Sequence, residues 1–388
     1  ILLGQGIYYN PPMKTAAGVI KTAGYVTDIT TDVSMAWVKG RDKSKPFMLM
    51  CQQKAPHREW SPNLTDLGWD KGRVYPEPAT LFDDYKDRAF SVGDQDMSLE
   101  KTISPLDMKL VHPPGITPEQ AKAWDAYYGP VNEAYRKADP KGRDLVKWRY
   151  QRYMHDYLGC VKSVDDNVGR MLKFLEEEGL MENTIIIYSS DQGFYLGEHG
   201  WYDKRWIFEE SVRTPLLVRW PGVTTAGSVN NSLVANVDFA QTFLDMAGVA
   251  APAEMQGRSL RPLLAGQVPA DWRKEFYYHY YEYPEPHHVS PHYGVITDRY
   301  KLVRYYGNGE TKTDLFDSEK DPLELKSFFG QPGYEAVQAD LEARLAKLRT
   351  DLKVPETEDE LASGAKRRNP PAVKNAVKGK AKKAPEAK

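Results

Sequence analysis

Residues 183–222 read NTIIIYSSDQGFYLGEHGWYDKRWIFEESVRTPLLVRWPG, and their order decides the fold. The apolar run TIIIY is short and rich in β-branched residues, which suits a strand buried on both faces. A polar, glycine-punctuated segment follows, then the helical KRWIFEESV. A second apolar run, TPLLVRWPG, ends in a Pro-Gly turn. Upstream, from Asp144 to about Glu178, apolar residues recur at 145, 148, 154, 157, 158, 161, 164, 168, 171, 172 and 175. That spacing is helical, and Gly179 stands where a helix C-cap belongs. Downstream, VDFAQTFLDMAGV (237–249) reads as an amphipathic helix. Helix, apolar strand, loop, helix, strand predicts an α/β fold with a mostly parallel central sheet flanked by helices. Ligands of such sheets sit beyond the carboxyl ends of the strands, and DQGFYLGEHG lies at such an end.

Further out, KPFMLMCQQKAPHREWSP (45–62) predicts a strand over 46–51 and then a turn, bounded by Pro56 and Pro62, that carries His57 and Arg58. Residues 61–142 form a long Pro-, Gly- and Asp-rich excursion with helical promise only around 118–138. Excursions of that length usually serve or cover a site. After about 273 the texture changes. KEFYYHYYEYPEPHHVSPHYGVITDRYKLVRYY alternates aromatic and polar residues, predicting antiparallel strands, and YEAVQADLEARLAKLRTDL predicts a helix packed on them. The expected division is an α/β domain over 1–272, a smaller α+β subdomain over 273–355 and a disordered basic tail over 356–388. The acidic DLFDSEKDPLELK reads as a turn, because Pro322 stands where an EF-hand calcium loop needs glycine.

The 388 residues are 41% hydrophobic and 27% charged, an ordinary globular balance that argues against wholesale disorder. A net charge of −2 hides an asymmetry. Residues 363–388 carry nine Lys/Arg against Glu386 alone, a net of +8, so the remainder carries −2 − 8 = −10. The tail has almost no large apolar side chain to offset its ordering entropy. It is either a solvated tail or a grip for a polyanion such as a glycan. Nucleic acid is not the expected partner. The two cysteines, Cys51 and Cys160, make neither a disulfide framework nor a CxxC metal pair. No run of 18 apolar residues occurs, so no membrane span is expected. The opening ILLGQGIYYNPP has no initiator Met and reads as the middle of a longer sequence.

Asp191 and the side-chain oxygen of Gln192 are hard donors suited to Ca²⁺ or Mg²⁺. Lys204, thirteen residues beyond Asp191, is a compact cation for an anionic oxygen. His57, at another strand end, can give a proton to a leaving group. Cation, ammonium and imidazole make half of a site for anionic esters; the same residues also fit a surface salt-bridge cluster. Tyr- and His-rich YYHYYEYPEPHHVSPHYG offers aromatic faces to sugars, with His287 and His292 as candidates for further anionic groups.

The stretch IIIYSSDQGFYLGEHGWYDKRWIFEESVRTPLLVRWPG resembles the C-terminal signature region of the type I sulfatases of the alkaline phosphatase superfamily. The likeness extends to KAPHR, MHDYLGCVKSVDDNVGRMLKFLEEEGLMENT, NSLVANVDFAQTFLDMAG, GRSLRPLL and DRYKLVRYY. It implies a sulfate-ester hydrolase acting on a sulfated glycan, N-acetylglucosamine-6-sulfatase-like or heparan-type. It further implies that Asp191 and Gln192 are two of the Ca²⁺ ligands, with Gln standing where the family has Asn or His. Lys204 matches the sulfate-binding lysine and His57 the histidine that protonates the departing alcohol, while His199 and Arg205 line the pocket. The family nucleophile is a formylglycine made from a Cys or Ser in C/S-x-P-S-R by a formylglycine-generating or sulfatase-maturating enzyme. This sequence has no such motif and no N-terminal metal acids, so alone it is expected to be inactive. Residence in the periplasm or outside the cell follows from family habit. Phosphodiester or phosphonate hydrolysis, and a non-catalytic glycan-binding module, are the alternatives.

Overall fold

In the computed structural model, residues 5–88, 92–93, 95–283, 287–306 and 311–355 are described. The basic tail lies outside them. The chain opens with a small antiparallel hairpin, β1 (Pro12–Thr15) and β2 (Gly18–Lys21), followed by α1 (Val26–Gly40). Among its described residues the long excursion contains one α-helix, α2 (Pro118–Ala138), started by a capping box in which Thr117 and Gln120 satisfy each other's backbone N–H groups. The long α3 (Gly142–Glu177) follows, and Gly179 sits at φ 67°, its N–H bonded to Glu176 O at 3.0 Å. A left-handed residue there ends the helix as expected.

α3 buries Val146, Tyr150, Tyr153, Met154, Cys160 and Val164 along one face, where they meet Tyr8, Tyr9, Tyr25, Trp60 and Trp124 in the first core. α1 packs on the same helix, with Asn167 donating to Asp28 at 2.8 Å. The apolar runs become β3 (Ile186–Ser189) and β6 (Leu216–Arg219), which pair with each other. Between them lie β4 (Tyr195–Leu196), β5 (Tyr202–Asp203) and the one-turn α4 (Glu209–Val212). α5 (Asp238–Met246) and α6 (Arg261–Leu264) follow.

The α/β class with a C-terminal antiparallel subdomain is as expected, but two details differ. β3 and β6 run antiparallel, because residues 190–215 leave and re-enter the layer at the same end with no crossover helix between them. Residues 46–51 are assigned to no strand. Phe47, Leu49 and Cys51 turn half inward, while Met48 and Met50 are 60% and 62% exposed, and no described strand offers this segment a ladder.

The C-terminal sheet has the order β10-β9-β8-β7, all antiparallel, from β7 (Glu275–Tyr280), β8 (His292–Thr297), β9 (Tyr300–Tyr305) and β10 (Lys312–Asp317). α7 (Glu335–Asp351) covers one face through Leu341 and Leu345. The other face, with Ile296, Val303 and Phe316, closes over Trp201, Trp206, Ile207 and Phe208 of the opening stretch. That contact places the sheet directly behind the charged segment. The acidic turn is structural as read: Asp317 takes both 2.8 Å bonds from Arg299 and one from the Tyr334 hydroxyl.

Among the described residues no helix is long and apolar enough to cross a membrane.

Candidate functional site

The site is built by a two-strand hairpin at the end of β3. β4 pairs with β5, Tyr195 opposite Asp203 and Leu196 opposite Tyr202. The turn between them uses Gly197 and Gly200 at φ 101° and 74°, conformations that cost a side-chain-bearing residue dearly. The hairpin returns Asp203, Lys204 and Arg205 to the mouth of the layer. Asp203 and Arg205 themselves sit at φ 74° and 121°, as does His287 at 88°, and such strain concentrates where geometry serves function.

Asp203 is the hub, and it is only 1% exposed. Lys204 Nζ approaches its Oδ1 at 3.0 Å, Arg205 Nη1 its Oδ2 at 2.7 Å and His287 Nε2 the same oxygen at 3.3 Å. Burial alone would raise this carboxyl, but Lys204, Arg205 and His287 together hold it below the ordinary carboxylate range. Arg205 reaches on to Glu282 at 3.4 Å. Its backbone is held at both ends, the N–H by Ser211 Oγ at 3.1 Å and the carbonyl by the Tyr278 hydroxyl at 3.0 Å.

His57 faces the same space. Its pKa is lowered, first by burial and then by the Lys204 charge, while Asp203 pulls the other way. Its Nδ1 lies 2.9 Å from Arg58 O. A carbonyl only accepts, so Nδ1 carries the proton and Nε2 is the bare nitrogen of the neutral ring. Arg58 is fixed bidentately on Asp107 at 2.9 and 2.6 Å and donates to the Tyr202 hydroxyl at 2.8 Å. His287 is lowered as well, by burial and then by Arg205.

The structure thus gathers His57, Lys204, Arg205 and His287 around Asp203. Two sequence candidates fall elsewhere. His199 is 0% exposed: its Nδ1 bonds Asp83 at 2.8 Å and its ring lies against Trp201 and Phe208. His292 is also 0% exposed, packed among Trp206, Tyr278, Tyr280 and Tyr305, and burial pushes it down to about 4. Neither ring can touch a substrate in this conformation; both brace the hairpin from behind. Burial alone would raise Asp83, yet the hydrogen bond from His199 and the charge of Arg88 hold it at about 2. A depressed carboxylate adds stability above its unfolded pKa of 3.8 that is lost as pH falls toward 2. Asp83→Asn is expected to lower stability at neutral pH by about 2 kcal/mol and to flatten that acid loss in urea titrations run at several pH values.

Asp191 is exposed and Gln192 half-buried on the corner after β3, which is seated on α4 by the Gly193 N–H to Ser211 O bond of 2.7 Å. Their donor chemistry suits Ca²⁺ or Mg²⁺. However, a calcium cage takes about six to eight oxygens, and among the described residues no group of three or more acidic, His or Cys side chains could hold a metal. These two residues fit an edge of a cation site and do not complete one.

Sequence reasoning missed Asp203, Arg58 and Tyr202. Asp203 carried a signal: an acid directly before Lys-Arg in a glycine-framed segment invites the reading of a counter-charge hub.

Fold and site together define an α/β protein of the alkaline phosphatase-like kind with Lys204 and Arg205 gathered on a buried carboxylate. The chain belongs to the sulfatase family. The sulfatase model matches residues 4–249, and the model for the C-terminal part of N-sulphoglucosamine sulphohydrolase matches residues 197–351. It is 44% identical over 367 residues to an N-acetylglucosamine-6-O-sulfatase of Bacteroides thetaiotaomicron, covering 90% of this chain and 66% of that protein. A multifunctional alkaline phosphatase superfamily protein of Trinickia caryophylli, PehA, is 26% identical, covering 80% of this chain and 56% of that one. The chain therefore spans between about half and two thirds of these relatives' lengths. A solved structure described as a complex with its substrate D-glucosamine-2-N,6-O-disulfate superposes with TM-score 0.88 at 43% identity, covering 91% of this chain and 75% of that chain.

Proposed function

We propose that this protein is a sulfatase acting on sulfated glucosamine or N-acetylglucosamine units of a glycan. The observation that carries the reading is the convergence of Lys204, Arg205 and His287 on buried Asp203 beside His57. The 44% identity to an N-acetylglucosamine-6-O-sulfatase supports the sugar and the ester.

In this reading the Lys204 ammonium binds a sulfate oxygen and stabilises charge that grows there as sulfur is attacked. His57, protonated at Nε2 once an anion offsets the Lys204 charge, gives that proton to the departing sugar oxygen. Asp203, itself buried, holds Lys204 and Arg205 in place, and Arg205 donates to the bound ester or its sugar hydroxyls. Formylglycine, when present, supplies the nucleophile of this chemistry; this sequence holds no motif for it, and Asp191 and Gln192 would help hold the cation. A maturating enzyme is the implied partner, a periplasmic or extracellular compartment the implied address, and 1–272 with 273–355 the implied units. The likeness to PehA keeps phosphoester or phosphonate hydrolysis as the second reading.

Calorimetry with glucosamine-6-sulfate tests the proposal. Binding is expected, to be lost in Lys204→Ala and to exceed that of unsulfated glucosamine. Equal binding of the unsulfated sugar removes the sulfate site. Tighter binding of glucosamine-6-phosphate favours the second reading.

A further inference from the structure

The turn that carries His57 is held by its carbonyls. The Tyr8 hydroxyl donates to His57 O at 2.5 Å, Lys109 Nζ to Glu59 O at 2.8 Å, the Tyr25 hydroxyl to Ser61 O at 2.9 Å and the Tyr9 hydroxyl to Pro62 O. One carbonyl is shared. Arg58 O accepts from His57 Nδ1 at 2.9 Å and from Lys54 Nζ at 3.2 Å. Lys54 is 7% exposed and lies over the Tyr8 ring at 4.3 Å from its centroid. No carboxylate is in ion-pair contact with Lys54 among the described residues; the Glu59 carboxyl is near enough to act on it by charge alone. A buried ammonium placed on the same oxygen as an imidazole N–H has two consequences. It fixes the plane of that carbonyl, and so the ring and its Nδ1–H tautomer. Burial lowers the Lys54 pKa, yet its ammonium still sets a positive charge against any second proton on the ring.

We propose that Lys54 is a positioning residue for His57, and that it couples oxyanion binding to uptake of one proton at His57 Nε2. The groups facing the ring are Lys204 and Lys54, which oppose that proton, Asp203, which favours it, and the Arg58 carbonyl, which fixes the other nitrogen. In the empty site burial and then the two ammoniums prevail, and the ring is neutral at pH 7. A sulfate oxyanion on Lys204 offsets that charge and reverses the balance, and solvent supplies the proton. His57 would thus be armed only when an ester is present, which keeps the proton from being spent on water. The coupling rests on the sulfate site proposed above, but it is separable from it.

The test is NMR of ¹⁵N-labelled histidine in the whole chain, titrated in pH with and without inorganic sulfate. The wild-type ring is expected in the Nδ1–H tautomer, with a His57 pKa that rises when sulfate is added. Lys54→Met is expected to raise the sulfate-free pKa, shrink the rise and weaken sulfate binding about tenfold, and Lys54→Arg to restore all three. An Nε2–H tautomer in the wild-type protein overturns the proposal without recourse to any variant, as does a His57 pKa indifferent to Lys54→Met. Sulfate that fails to bind at all, or binds equally well in Lys204→Ala, counts against the sulfatase site itself; sulfate that binds through Lys204 with no proton taken up counts against the coupling alone.

Discussion

Asp203→Ala is expected to cost about 3 kcal/mol of stability and to abolish sugar binding. The reasoning is one of uncompensated charge. Asp203 is 1% exposed, while its cationic partners Lys204 and Arg205 have side chains only 15% and 14% exposed. Removing the carboxylate strands cations that have lost most of their hydration, and breaking buried pairs in this way costs about 3–5 kcal/mol. The lower end applies because the cations keep some water and Arg205 retains Glu282. The backbone adds a second term, since Ala tolerates φ 74° poorly. Asp203→Asn separates the two: Asn accepts this conformation and keeps the shape, so its loss reports charge alone and is expected to be most of the total. Asp203 has a depressed pKa, so its stabilisation is present above the unfolded value of 3.8 and is lost as pH falls below it. The deficit of Asp203→Asn should therefore be constant near neutrality and shrink below about pH 4. Urea unfolding at pH 7 and pH 3 reads this. A deficit under about 1 kcal/mol for both variants would mean the cluster is a solvated surface group.

The sequence made the frame legible and hid the centre. α3 and its cap were written in a helical stripe ending at Gly179, and the C-terminal sheet in alternating aromatics, because both patterns come from one buried face. Residues 46–51 misled for the same reason: five apolar residues in a row look like a central strand, but a strand needs neighbours, and pairing is invisible to composition. The histidines show the limit for sites. His57 and His287 reach the mouth while His199 and His292 back the core, although all four sit in polar, aromatic-rich text. What separates them is the surface beyond: Phe208 and Trp201 close over His199, and β7 tyrosines over His292. Asp203 was missed because its meaning lies in a residue from a distant loop, His287, and in a hairpin whose register sequence does not state.

Gly193→Ala is the sharpest test of how the Asp191–Gln192 corner is held. Gly193 does not have the positive φ that explains most turn glycines, so its requirement is space alone. A Cβ there would stand 2.1 Å from Glu210 O and 2.7 Å from Arg213 O. Both are backbone atoms at the two ends of α4, so no rotamer change relieves the overlap. Either the corner lifts, breaking the Gly193 N–H to Ser211 O bond, or α4 moves and disturbs Ser211, which also holds the Arg205 N–H. Overpacking typically costs about 1–3 kcal/mol, and two rigid contacts place this case at the upper end, near 3 kcal/mol. Gly169→Ala supplies the control: Gly169 lies within α3 with nothing inside 4 Å of its Cβ, and Ala there should stabilise by up to about 1 kcal/mol. If the two variants melt alike, the corner is not seated on α4 as described. If Gly193→Ala is destabilised and sugar binding weakens with it, the cation edge and the Arg205 clamp share one support, and the two halves of the site stand or fall together through Ser211.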